Sequence, residues 1–361
     1  SVVGRRSSVV GRRSSVVGCG AGRILALIVA VVLVQFIGKP SQAQCESEAI
    51  RFVRAGASGA SGQCWDDAYG TLEQALADVN NQQLSVTTIR IAQGTYRPWS
   101  QSGFVISMPV TIEGGYRGFT DSEGNADDRD LCEYPTVLTG DLLDDDDGTI
   151  GSMADNAVHV IRVSSLVGGT TGVLDGLIMT AGCALNAELM PDRFGGGLRL
   201  DETGEGAEIL VQSCRFYGNT ATTGGAIGAR MRLVCRDSLF EGNAARASVA
   251  PGGLGLTNGN GGAIVATTAF EVVHCRFEGN ESEGSGGAIV IARGTALVEE
   301  SLEEPSEGGP EGYPFWVTSS VFLGNHCSFT GPWRGGAIGI GEQAMLIATN
   351  CVFQGNTAPF G

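Results

Sequence analysis

Cys214-Arg215-Phe216-Tyr217-Gly218-Asn219 is followed 24 residues later by Ser238-Leu239-Phe240-Glu241-Gly242-Asn243. The phrase returns as Cys275-Arg276-Phe277-Glu278-Gly279-Asn280, as Ser320-Val321-Phe322-Leu323-Gly324-Asn325 and as Cys351-Val352-Phe353-Gln354-Gly355-Asn356. A second phrase, Gly-Gly-Ala-Ile, alternates with it at 224–227, 261–264, 286–289 and 335–338. Self-similarity at this scale has to be read first, because each repeat is one structural unit that buries its apolar side only against its neighbours.

Working outward from each Phe, the columns stay in phase. Seven residues earlier stand Ile209, Leu233, Phe270, Phe315 and Leu346. Five earlier stand Val211, Cys235, Val272, Val317 and Ala348, and two earlier stand Cys214, Ser238, Cys275, Ser320 and Cys351. Apolar or small residues at period two are a strand signal. The phase breaks between the fifth and second positions, which places a bend there. A 24-residue repeat fits one coil of three short strands with their turns.

The expected fold is all-β: a right-handed parallel β-helix solenoid. Equivalent residues on adjacent coils would lie about 4.8 Å apart. Phe216, Phe240, Phe277, Phe322 and Phe353 would then pile up inside, and Asn219, Asn243, Asn280, Asn325 and Asn356 would form an amide ladder. Asn tolerates the left-handed backbone of a tight turn, and the Gly before it removes a Cβ from the bend. Gly-Gly-Ala marks a second crowded corner.

Phe-x-x-Asn alternating with Gly-Gly-Ala-(Ile/Leu/Val) resembles the repeat of chlamydial polymorphic membrane proteins and related surface passengers. More broadly the chain is similar to bacterial β-helix proteins of the pectin-lyase-like fold. The match covers the chain from about Leu198 onward. It implies a secreted, cell-surface or outer-membrane location and an adhesive or scaffolding role.

Composition agrees with a glycine-rich solenoid. Gly supplies 56 of 361 residues, well above the usual ~7%. Residues 1–43 read as a leader. Arg5, Arg6, Arg12, Arg13 and Arg23 precede an apolar run over 24–37, and Ser41-Gln42-Ala43 offers a small-x-small cleavage site. The run is short for a spanning helix, and an uncleaved anchor is the alternative. Without the leader, 23 basic residues lose these five Arg and Lys39, leaving 17 against 39 acids and a net charge of −22. Such acidity excludes nucleic acid and docking of polyanions. Host or neighbouring cell surfaces, or a polysaccharide, are the expected partners, and the membrane is met only through the leader or an anchor.

Residues 44–165 read as an N-terminal cap and first coils, and 166–361 as repeat coils. Thr71 to Gln74 is a capping box that opens a short helix with Leu72, Ala75, Leu76 and Val79 on one face. This helix is the expected lid on the first coil. Thr88–Ala92 and the Gly94-Thr95-Tyr96 turn follow, and this opening also resembles that of secreted bacterial β-helix proteins. An acidic insertion over 294–313 interrupts one coil, and the columns resume in phase at Phe315. The next Gly-Gly-Ala falls due after Asn356, so further coils are expected beyond Gly361.

Nine cysteines follow Cys19. Cys214, Cys275 and Cys351 alternate with Ser and so lie two coils, about 9.6 Å, apart, too far to bridge. Cys45 with Cys64 is the expected disulfide.

Outward columns supply the candidate sites. Three residues before each Phe stand Ser213, Asp237, His274, Ser319 and Asn350. Asp237 and His274 become neighbours, and so do Glu241 and Glu278, a stacked carboxylate pair near the ~5 Å spacing of retaining glycosidases. Asp201 with Arg199 is a further acid–base pairing. Against these stands the plain reading of a solvated polar face. Asp144, Asp145, Asp146 and Asp147 are candidate Ca²⁺ ligands, the one cofactor considered, although consecutive acids point in different directions. Trp65, Trp99, Tyr96 and Tyr116 are suited to sugar stacking or to the core. A non-catalytic adhesin or interaction scaffold is the leading expectation. A polysaccharide lyase or glycoside hydrolase is the alternative.

Overall fold

Short segments with alternating apolar side chains have one face to bury and backbone groups to pair on both edges, and stacking like segments in parallel meets both needs. The computed structural model describes residues 48–81, 85–185, 193–202, 204–249, 256–257, 259–292, 315–328, 335–341 and 344–359. The leader, Cys45 and the acidic insertion lie outside them. Among the described residues the chain forms parallel sheets of nine, eight, seven and five strands and one two-stranded antiparallel ribbon.

Strand order within each parallel sheet follows the chain, and successive strands visit the sheets in rotation. One circuit runs through Glu208–Gln212, Arg215–Tyr217, Thr220–Ala221 and Ile227–Ala229, and the next begins at Arg232–Arg236. The register expected from the columns is the register observed. Ile209 pairs Leu233, Val211 pairs Cys235, and Phe216 pairs Phe240. Across the acidic insertion, Val272 still pairs Val317 and Phe277 pairs Phe322. This all-β, parallel arrangement is compatible with a β-helix-like solenoid.

Two details correct the sequence reading. A repeat circuit visits four parallel sheets, not three, as at Glu208–Ala229 and Phe270–Ile291. The extra strand, such as Thr220–Ala221 or Ala244–Ala245, directly follows the ladder Asn and is two residues long. Two residues are too few to show a period. The left-handed residue at that turn is the Gly, with φ of 64°, 59°, 59°, 58° and 64° at Gly218, Gly242, Gly279, Gly324 and Gly355. The Asn beside it is free to turn its side chain inward.

A single file of rings runs through the interior. Phe216, Phe240, Phe277, Phe322 and Phe353 stack with centroids 4.7–5.0 Å apart and planes within 8°. That spacing matches the ~4.7–4.9 Å between paired strands, so the sheet register sets the ring separation. The first four are fully buried, whereas Phe353 is half-exposed.

Beside the rings runs the amide ladder. The Nδ2 of Asn219, Asn243, Asn280 and Asn325 each donates to Oδ1 of the next Asn at 2.8–3.0 Å. The backbone N–H of each donates to the same oxygen at 3.0–3.2 Å. Nδ2 also donates back to a carbonyl one circuit earlier, of Met179 for Asn219 and of a Phe for the other three, as from Asn243 to Phe216 at 3.0 Å. These four asparagines are completely buried, and the ladder satisfies their amides without water.

The Gly-Gly-Ala corner is crowded, as expected. A Cβ on Gly225 would meet the Gly262 and Ala244 carbonyl oxygens at 2.3 and 2.5 Å. At the start of the fold, the helix Leu72–Asn80 is opened by Thr71, whose N–H and hydroxyl both donate to Gln74 Oε1 at 3.2 Å. Its Leu72, Ala75, Leu76 and Val79 join the main core.

Candidate functional site

The bend between the nine-stranded and eight-stranded sheets carries Ser213, Asp237, His274, Ser319 and Asn350. All five are left-handed, with φ of 51°, 48°, 53°, 49° and 53°. The first four each donate their backbone N–H to a carbonyl on the next circuit, as Asp237 to Val273 at 3.1 Å and His274 to Thr318 at 3.1 Å. A left-handed L-residue is costly, and short polar side chains tolerate it best. That requirement accounts for the residue types in the column. His274 Nδ1 lies 3.6 Å from Asp237 Oδ1, with both side chains about half-exposed. They are neighbours, as expected, at a distance too long for a hydrogen bond.

Glu241 and Glu278 are paired across adjacent strands. Each is taken up by an arginine. Arg215 Nη2 donates to Glu241 Oε2 at 2.6 Å, and Arg276 Nη2 lies 2.7 Å from Glu278 Oε2. Arg215 also covers the Tyr217 ring at 4.9 Å. The same habit continues over the outer surface. Arg232 pairs with Glu208, Arg236 with Glu271 at 3.6 Å, and Arg246 with Glu281 at 2.8 Å. A retaining pair needs a free nucleophilic carboxylate, whereas both of these carboxylates are engaged by arginines.

Asp201 gathers two arginines. Arg199 Nε donates to Oδ1 at 2.5 Å and Arg162 Nε to Oδ2 at 2.8 Å. Arg199 Nη1 lies 3.4 Å from Nε2 of His159, whose Nδ1 lies 2.8 Å from the Gly195 carbonyl oxygen. His159 and Arg199 are buried. Sequence reasoning missed His159, because the signal is only its place two residues before a strand, Ile161–Val163, that stacks on Leu198–Leu200.

Compared with protein-family models, curated proteins and solved structures, the chain finds no match. Burial disfavours the thiolate at three of the buried cysteines. Burial pushes Cys214 and Cys275 up to about 12, and Cys235 also sits well above its ordinary value. Cys214 and Cys275 are free, as their spacing required, and so is Cys351. Cys64 is disulfide-bonded.

Of the four aromatics, Trp65, Tyr96 and Tyr116 belong to the interior. Trp65 packs on Phe52 and Tyr116 with centroids 4.9 and 5.7 Å apart, and its Nε1 donates to Asp127 at 3.0 Å. The Tyr96 hydroxyl donates to the Ala92 carbonyl at 3.0 Å. Trp99 is 70% exposed and is the one left open to a sugar face.

The acidic run disperses. Asp144 is bridged to Arg97. Asp146 Oδ2 accepts from Asn156 Nδ2 at 2.9 Å, and Asp147 Oδ1 accepts from the Thr149 hydroxyl at 2.7 Å. Asp145 instead turns toward Asp141 and Asp155, and the three offer oxygens within 4.8 Å of one another.

Proposed function

We propose that the chain is a right-handed parallel β-helix of the pectin-lyase-like kind, with repeats of the chlamydial polymorphic-membrane-protein type. In this reading it works outside the cell or on its surface as a non-catalytic scaffold for adhesion or interaction. Right-handedness rests on a general rule: parallel strands joined by crossovers within one sheet are right-handed in ~98% of cases. Secretion rests on the basic and apolar leader alone.

The observation that carries the scaffold reading is the state of the outward charges. Glu241 and Glu278 are held by arginines, the Asp237–His274 pair occupies a backbone corner shared with two serines and an asparagine, and Asp201 is bridged twice. The Arg215–Glu241 and Arg162–Asp201 pairs fasten neighbouring circuits, and Arg276–Glu278 engages its carboxylate within one strand. With its acidic surface, the partner is a cell surface or a neutral or cationic glycan, not a nucleic acid.

The test joins binding to turnover. The purified chain is expected to retain cells or immobilised glycans while releasing no reducing ends or unsaturated products from pectate, alginate or neutral polysaccharides, with or without Ca²⁺. Turnover abolished by Asp237→Ala or His274→Ala would replace this reading with the lyase or hydrolase.

A further inference from the structure

We propose that the outer face of the nine-stranded sheet around Trp316 binds one or two sugar residues of a neutral glycan. The inference rests on the scaffold reading above and names its partner and its contact surface. Register alone brings the side chains together. Trp316 stands between the buried Phe315 and Val317, so alternation turns it outward, where it is 43% exposed. It pairs with Ile347 on the adjacent strand. Met345, two residues before Ile347 and on the same face, is 56% exposed. The next outward row holds Thr318 paired with Thr349, and their hydroxyls lie 3.3 Å apart. An open indole with apolar neighbours on its own and the next strand thus lies one row from two hydroxyls.

A second observation concerns charge. Earlier strands of this sheet cover their outer face with ion pairs, Arg90 with Glu113, Arg232 with Glu208 and Arg236 with Glu271. The strands Phe315–Thr318 and Leu346–Thr349 carry no ionisable residue. Glu271, the register neighbour of Trp316 on its other side, is turned to Arg236 at 3.6 Å. In a chain of 39 acidic residues, the outer face changes here from paired charge to an indole, two aliphatic side chains and two hydroxyls. Single exposed apolar residues are ordinary, whereas contiguous ones mark a contact.

Size and charge select the occupant. Four residues at ~3.3 Å each make a strand ~13 Å long, and two strands ~4.8 Å apart make a face ~10 Å wide. That is ~130 Å², far below the ~800 Å² per partner of a stable protein interface, so a second copy of the chain finds too little here. A uronate or a sulfated sugar would bring its charge toward Glu271 and an acidic chain. A neutral pyranose meets both conditions. Its C–H face lies on the indole, and its hydroxyls reach Thr318 and Thr349, which can donate and accept. An aromatic body beside a wet polar rim suits such a contact.

The test is calorimetric titration of the full chain with short soluble oligomers of glucose, mannose, galactose and N-acetylglucosamine, beside oligomers of galacturonate. At least one neutral oligomer is expected to bind. Trp316→Ala should weaken it about tenfold or more, as truncation of a central Trp does. Thr318→Val with Thr349→Val should weaken it about threefold, from lost hydrogen bonds. Leu143→Ala, an exposed apolar residue on a distant loop, should leave it unchanged. All variants should keep the parent's unfolding midpoint within a few degrees, since these side chains lie outside the core. Binding of no neutral oligomer, or of galacturonate alone, would overturn the proposal. So would a loss caused by Trp99→Ala and not by Trp316→Ala, or a dimer of the parent that Trp316→Ala dissociates in sedimentation. A parent that retains immobilised glycans regardless of Trp316→Ala overturns this inference alone. A parent that retains neither cells nor glycans overturns the scaffold reading with it.

Discussion

The column through Phe216 continues toward the start of the chain as Met179, Leu138 and Tyr96, paired in the same register. The two halves of this column share strand direction and spacing, and every member but Phe353 is buried. They differ in what fills them. Past Met179 one residue type repeats, the rings lie parallel, and an amide ladder runs beside them. Before it the side chains all differ, Tyr96 needs its own hydroxyl partner, and the position matching the ladder Asn is Gly182 and then Asp141. Parallel register thus requires only apolar alternation. Identity of residue adds two further interactions, ring stacking and amide chaining, that mixed side chains cannot make.

The largest expected effect probes the repeated half. Phe240→Ala should cost ~3–5 kcal/mol in denaturant unfolding, from lost burial and a cavity between two rings. Paired Phe240→Leu and Phe277→Leu variants should add a coupling of ~0.5–1.5 kcal/mol that Leu138→Val with Met179→Leu lacks. Equal couplings would mean that stacking contributes nothing beyond area.

Next comes the ladder. Asn243→Ala removes the shared acceptor of the Asn219 N–H and Nδ2 and the donor to Phe216 O. Each buried group left unsatisfied costs ~1–3 kcal/mol, so a total loss of ~2–4 kcal/mol is expected. A denaturation midpoint within error of the parent would show that water replaces the amide.

A smaller effect has opposite signs in the two halves. A Cβ at Gly242 meets nothing within 4 Å, so Gly242→Ala tests torsion alone and should cost ~1–2 kcal/mol. The matching position before the repeats is Ala181, already left-handed at φ 59°. Ala181→Gly should therefore stabilise, by less than ~1 kcal/mol after the entropy cost of glycine. Destabilisation there would mean that the alanine methyl packs. Smallest of all, Arg215→Ala should change stability by ~0–1 kcal/mol, since its ion pair with Glu241 is nearly half-exposed. A loss above ~2 kcal/mol would promote the outer ion pairs from trim to frame.

The sequence made the rings, the amides and the crowded glycine corner legible because each depends on one residue type recurring in phase. Other features depend on facts that recurrence does not carry. Ser213, Asp237 and His274 read as a solvated column, since polarity hides their left-handed backbone. The two-residue strands are shorter than any period. Arg215 reaches Glu241 across 26 residues, which only the register reveals. Asp145 stands in a run of four acids, yet its partners are Asp141 and Asp155, brought near by the closing of a loop.

The amide ladder has an orientation that its repeating letters conceal. A carbonyl can only accept, so the bond from Asn243 Nδ2 to Phe216 O fixes which way that side chain faces. The equivalent bonds fix Asn280 and Asn325 the same way. The carboxamide dipoles therefore align head to tail, polarising one another as hydrogen-bonded chains do. Turning one over would set oxygen against oxygen on one side and hydrogen against hydrogen on the other. A row of neutral side chains thus acquires a positive and a negative end.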